Sequence, residues 1–480
     1  MYCMQTTHRN RFSAGANHSM PAAWAVPMGL LIISLFTAVV KSALPVEVDG
    51  VKVAWVDYQG PARCSARSAG KFKLTIELEP KGEQHPLSLR VALPNSGRLT
   101  WPYADVEVRN SADQAIPVRR AGIEWHILYL TLPAQHDTFT VQAVEPPNGG
   151  VAVFPEEQRH ATDSTTALRA SICNWHGGQH AALSIRFDDS HPSHLSQAIP
   201  ILREYGFRGS FMINPGEFTP GSRQRSPFQA HQDQWEAVAK RGDQEFANHT
   251  LHHRGAQNDQ AMAWQVGGAS RVIWDLFPNR SKLIALNLGG GTWWVTTKTL
   301  RHYLDTYALF DTSGSLGMDD VYGKRVAAFR RHLERHIKGA GWCRIHYHSI
   351  GEESAASEAN FRAALDVVKG CEPDLWIAGM ADIYKYLTER RGATLAIESR
   401  RERQAVLILS CSTDTQLFDQ ALTLRVTLPE SWPAEHVTIT NSSNFQLKTQ
   451  TLSIPGGELL QFDVPPTDGE FTVTRNHDDQ

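Results

Sequence analysis

Between residues 183 and 387, short apolar runs of strand length alternate with apolar residues at helical spacing, and this alternation constrains the fold most. Leu183–Phe187 reads as a strand; Leu195, Ile199, Leu202 and Tyr205 follow at helical spacing and stop at Gly206. Phe207–Ile213 reads as a second strand, and Trp235, Val238 and Ala239 mark a helix closed by Gly242. Trp342–Tyr347, a helix carrying Phe361, Ala364, Leu365 and Val368, the run Leu375–Ala378 and a helix with Ile383 and Leu387 complete the series. Repeated strand–helix units predict a parallel sheet, because each crossover returns the next strand beside an earlier one. Periodicity alone leaves open whether that sheet closes into a barrel.

Both flanks lack this alternation. From residue 46 to 145 the segments Phe72–Leu78, Leu87–Leu93 and Ile123–Leu130 alternate with period two, which predicts a β-sandwich-like domain. Glu145–Gly150, rich in Pro and Gly, marks the edge of a connection. After Gly392 the short strands Ala405–Leu409, Leu422–Leu428, His436–Thr440 and Glu470–Thr474 predict a second such domain. A chain of 480 residues exceeds one ordinary core. The expected limits are 44–165, 166–392 and 393–480.

A net charge of −3 excludes a dedicated nucleic-acid binder, which carries a strong basic excess. The basic stretch Arg330–Lys338 has Leu333 and Ile337 four apart and reads as an amphipathic helix with a solvated face. His8, Arg9 and Arg11 precede the apolar run Met28–Val40, with no acid before Glu47, so residues 1–43 read as a signal peptide or an uncleaved anchor. A secreted, periplasmic or cell-envelope protein is expected, touching membrane only through that segment. The six cysteines form no C-x-x-C pair, which excludes a thiolate zinc cluster; five remain beyond residue 43 and read as isolated thiols.

Chemistry concentrates at Asp188-Asp189, at the end of the first apolar strand, and at His249-Thr250-Leu251-His252-His253. One carboxylate can ligate a metal while its neighbour takes a proton from water, and histidines four apart can close on one ion. A carboxylate plus two histidines leaves positions open, as hydrolytic metal sites require. The C-terminal end of a parallel strand is also where βα barrels place their chemistry.

The segments Leu183–Asp189 and Gly242–His253 resemble the first two motifs of the polysaccharide deacetylase family (the NodB-homology domain), over roughly residues 166 to 392. The resemblance implies a distorted (β/α) barrel with fewer than eight strands, so a multidomain α/β protein flanked by β-sandwich-like domains is expected. It assigns Asp189, His249 and His253 to one divalent cation, Zn²⁺ first and Co²⁺ or Ni²⁺ as alternatives, and Asp188 to the general base. Ile345–Gly351 resembles the late motif that supplies a general acid, which fits His348 better than His346. Thr250 and Asn248 would steady the ligand loop. His191 and His194 read as exposed helix-start residues, and His252 as pointing away from the ligands. The family's third motif, R-x-P-x-G, usually brings an Arg to the base carboxylate. Here the comparable segment, Leu286–Trp294, has neither Arg nor Pro; its glycines allow close backbone approach, and Trp293 and Trp294 could stack on sugar.

The implied activity is metal-dependent removal of acetyl groups, N-acetyl ahead of O-acetyl, from a polysaccharide. Two alternatives stand beside it: a C–N hydrolase acting on a small amide, and a surface carbohydrate-binding protein without catalysis.

Overall fold

The computed structural model describes residues 44–94, 100–121, 125–144, 152–216, 226–312, 314–351 and 354–476. The expected leader (1–43) and the connection at 145–150 lie outside them.

At the centre, eight parallel strands form one curved sheet. Its order runs Leu309–Asp311, Ile284–Leu286, Glu245–Asn248, Gly209–Ile213, Ala181–Phe187, Trp342–Tyr347 and Leu316–Gly317, with Leu375–Ile377 beside the start of Ala181–Phe187. All seven residues of Ala181–Phe187 are buried, as expected of a strand covered on both faces. Helices Ile199–Tyr205, Gln232–Arg241, Asp259–Leu276, Arg325–Lys338, Glu358–Gly370 and Met380–Arg391 supply the cover. The helix after the first strand is shorter than its spacing suggests, because residues His194–Ala198 form a wider turn before it. Gly206 and Gly242 end their helices at φ 74° and 73°, where a side chain would be strained. Leu333 is buried beneath Arg325–Lys338, whose basic residues face outward. Phe187 stacks on Phe211 at 4.8 Å and on Tyr347 at 5.6 Å across neighbouring strands, an aromatic layer directly below Asp188.

On the N-terminal side, a six-stranded and a four-stranded antiparallel sheet contribute to one core cluster. The strand expected to begin at Ile123 starts at Ile127; residues 122–124 lie outside the described set. The sixth strand of that sheet is Trp293–Thr296, which comes from the stretch of chain between two strands of the central sheet, Ile284–Leu286 and Leu309–Asp311, and pairs with Val118–Ala121. On the C-terminal side, a five-stranded and a four-stranded sheet likewise share one cluster. The boundary expected between 165 and 166 falls between His160–Thr162 and Arg169–Ile172. These two strands pair with each other, and the second pairs with Leu422–Thr427, so this stretch joins the C-terminal sheet. Cys64, Cys173, Cys343, Cys371 and Cys411 are all free thiols.

Candidate metal and catalytic centre

Asp188 and Asp189 leave the C-terminal end of the central strand in opposite environments. Asp188 is buried, whereas the Asp189 side chain is 46% exposed. Asp189 has φ 74°, and on the facing loop Thr250 and His253 have φ 66° and 53°. A β-branched residue in this region is a genuine outlier, and such strain collects where surrounding structure holds a working geometry.

Three expected ligands converge. The Nε2 atoms of His249 and His253 lie 3.2 and 3.9 Å from Asp189 Oδ1. One ligand atom from each of the three residues lies within 4.8 Å of the others. His249 Nδ1 donates to the Asn287 carbonyl at 2.8 Å, which fixes the tautomer and leaves Nε2 free to ligate. This arrangement fits a divalent cation. Burial alone would raise the Asp189 carboxyl, but the hydrogen bond from His249 and the charges of His249, His253 and His348 hold it far below the usual range. Gly289, at φ 77°, lies against His253: a Cβ there would sit 1.9 Å from Nε2, so only glycine leaves this ligand its room.

The loop is held from behind. Asn248 donates to Val266 O and Ser270 Oγ, and its side-chain oxygen accepts from Thr250 N at 2.8 Å. Thr250 Oγ1 accepts from His253 N at 3.1 Å. Asn214, which sequence reasoning did not single out, donates to the carbonyls of both His249 and Thr250. The His252 ring lies tilted against Trp264, with centroids 4.8 Å apart.

Asp188 faces Arg186, two residues earlier on the same strand. Arg186 Nη2 donates to Oδ2 at 2.9 Å, and Nε lies 2.9 Å from Oδ1, close enough for ion pairing though off the line of its N–H. Both side chains are about 5% exposed. Arg186 also donates to Thr312 O beyond the edge strand, which anchors its head across the barrel interior. Burial alone would raise the Asp188 carboxyl, but Arg186, then His249 and His346, hold it below the usual range. The arginine missing from Leu286–Trp294 therefore has a physical counterpart at position 186. Its signal was present in the sequence, since residues two apart on a strand face one side.

Opposite lies His348. Its Nδ1 contacts Asp319 Oδ2 at 2.5 Å, and Asp319 Oδ1 accepts from its backbone N at 3.1 Å. That bond to Asp319 outweighs burial and raises the His348 pKa. Asp319 is buried and was not anticipated; nothing local in Met318-Asp319-Asp320 points to it. His348, His346 and Asp188 each place one atom within 4.8 Å of the others. His346 takes a different environment: Nδ1 meets Ser315 Oγ, and burial above all lowers its pKa to about 4.

Two expectations are corrected. His194 is fully buried: its Nε2 donates to His348 O at 2.7 Å, its ring packs on Phe187 and Phe211, and burial lowers its pKa to about 4. Trp294 is also fully buried, with Nε1 donating to Thr292 Oγ1, so it packs the interior and has no face for a sugar. Trp293 is 39% exposed, and His191 is exposed as expected.

Comparison with known proteins finds similarity in the part of the chain that carries this site. The profile of the polysaccharide deacetylase family matches residues 178–305. A gellan lyase from a Bacillus species is 21% identical over 298 residues, 55% of this chain but 12% of that protein's length. Among solved structures, a peptidoglycan deacetylase from Bacillus subtilis is 17% identical, covering 43% of this chain and 91% of its own, with a TM-score of 0.30. A family 4 acetyl xylan esterase from Clostridium thermocellum, in complex with a cobalt ion, is 15% identical over 42% of this chain and 90% of its own, at 0.30. Residues 178–305 thus carry a divergent polysaccharide deacetylase domain match.

Proposed function

We propose that this chain is an exported, metal-dependent hydrolase that removes N-acetyl groups, ahead of O-acetyl groups, from a polysaccharide. The observation that carries this reading is the meeting of Asp189, His249 and His253 beside a buried, arginine-paired Asp188. Asp189, His249 and His253 would hold the ion. Bound there, Zn²⁺ or a similar cation lowers the pKa of water from above 15 toward ~7 and polarises the acetyl carbonyl.

Asp188, kept ionised by Arg186, accepts a proton from the attacking water. His348, whose bond to Asp319 raises its pKa, gives a proton to the departing nitrogen. An amine is a far poorer leaving group than an alcohol, so a dedicated, carboxylate-backed acid favours amide over ester substrates. Trp293 offers an exposed ring beside the ligand loop. The paired sheets on each flank support the sandwich reading, and residues 1–43 would act as leader or anchor.

Acetate release should be screened over chitin oligomers, peptidoglycan, acetylxylan, exopolysaccharides and small acetamides, with Zn²⁺, Co²⁺ or Ni²⁺ added. The expected result is metal-stimulated release from one polymer and about one divalent ion per chain, lost in His249→Ala. A metal-replete wild type that neither binds an ion nor releases acetate sinks the proposal.

The acid assignment has its own test. A general acid works only while protonated, so the rate should fall as pH rises through the His348 pKa. Removing the partner that raises that pKa, in Asp319→Asn, should move this alkaline limb to lower pH. An unmoved limb with reduced amplitude would leave Asp319 a merely structural role.

A further inference from the structure

The six-stranded sheet turns Val118, Leu128 and Leu130 toward its own core. Alternation along the strands places Arg119 and Tyr129 on the opposite face, and cross-strand pairing sets Arg119 beside Tyr129 and Tyr129 beside Arg90. Trp293 joins them diagonally from the neighbouring strand Trp293–Thr296. Its ring meets Tyr129 edge-on at 5.2 Å, and the Arg119 guanidinium sits 4.4 Å from its centroid. The same guanidinium is 5.2 Å from the Tyr129 ring. Among the described residues, neither Arg90 nor Arg119 has an acidic partner.

This strip starts at the ligand loop. Ala256, three residues beyond His253, donates to Trp293 O at 3.1 Å and accepts from Val295 N at 2.8 Å. Four adjacent strands at a spacing of ~4.8 Å make the strip ~14 Å wide. Aromatic faces pack against apolar ring surfaces, while guanidinium groups pair planar acids with two parallel hydrogen bonds. Alternating rings and unpaired arginines therefore suit a sugar chain carrying negative charge.

We propose that Trp293, Arg119, Tyr129 and Arg90 form a subsite for an anionic polysaccharide, which makes the N-terminal sheet part of the substrate site instead of a spacer. The inference rests on the polysaccharide reading above and specifies its substrate class. Calorimetric titration of the whole chain with hexasaccharides of uronic acid, of a sulfated sugar and of neutral glucose tests it. An acidic chain should bind about tenfold or more tighter than the neutral one, with an advantage that shrinks in salt. Arg90→Ala/Arg119→Ala should abolish that advantage, Arg90→Lys/Arg119→Lys should keep part of it, and Trp293→Ala should weaken all three ligands. The uronate and sulfate arms identify which acid is read.

Equal affinity for acidic and neutral chains would overturn the proposal, as would a preference that survives in the well-folded double alanine variant. Equal binding of a single-stranded oligonucleotide would also overturn it, since that marks a general anion surface. Acetate release plays no part in this readout. A protein that prefers acidic chains but never releases acetate refutes only the deacetylase reading; an active one without the preference refutes only the subsite.

Discussion

Asp188→Asn is expected to slow acetate release by about 10²–10⁴-fold while leaving the bound metal at its wild-type level. The amide is nearly isosteric with the carboxylate but cannot accept the proton from water. Asp188 lies outside the Asp189, His249 and His253 group, which is why metal content should hold. The substitution also leaves the buried Arg186 guanidinium without its counter-charge, so some loss of thermal stability accompanies it. Rate and stability separate when activity is measured well below the melting transition and metal is counted in the same sample. Full activity in the variant would remove Asp188 from the base role. Loss of metal together with activity would instead place this carboxylate in the coordination sphere.

Arg186→Met is expected to destabilise the central domain by about 3–5 kcal/mol, the usual result of removing one partner from a buried ion pair. Methionine roughly replaces the aliphatic stem, so the penalty comes mostly from the stranded Asp188 charge. Adding Asp188→Asn removes that charge, and the double variant should lose much less stability than the two single losses added together. The melting transition assigned to the central domain reports this coupling without reference to activity. Additive losses would show that the 2.9 Å contacts carry no energetic weight. If Asp188 is the base, the rate in Arg186→Met should fall with kcat more than with KM, because Arg186 is buried against that carboxylate.

Much of this protein was legible from its residues. Alternating periodicity located the parallel sheet, and buried strands such as Ala181–Phe187 lie where apolar runs predicted them. Asp189, His249 and His253 were readable because the motif spacing is short and each half is local; the loop between the histidines closes through its own Asn248 and Thr250 hydrogen bonds. Arg186 was equally legible, because a period-two rule points from Asp188 straight to it, whereas the family pattern places the arginine in the segment comparable to Leu286–Trp294. Asp319 had no such signal. It reaches His348 from 29 residues away, through the parallel pairing of Leu316–Gly317 with Trp342–Tyr347.

Sequence by itself determined the element types, the ligand spacing and the basic–apolar character of the first residues, because these depend on neighbours within a few positions along the chain. Tertiary structure decided the rest. It chose between the two adjacent tryptophans, sending Trp294 inward and Trp293 outward, and it buried His194 beneath the site. It also carried Trp293–Thr296, from within the central segment, into the N-terminal sheet and residues 160–172 into the C-terminal one. Such outcomes depend on which distant backbone edge offers free hydrogen-bonding groups and which cavity a ring fills, and neither quantity exists until the chain has folded.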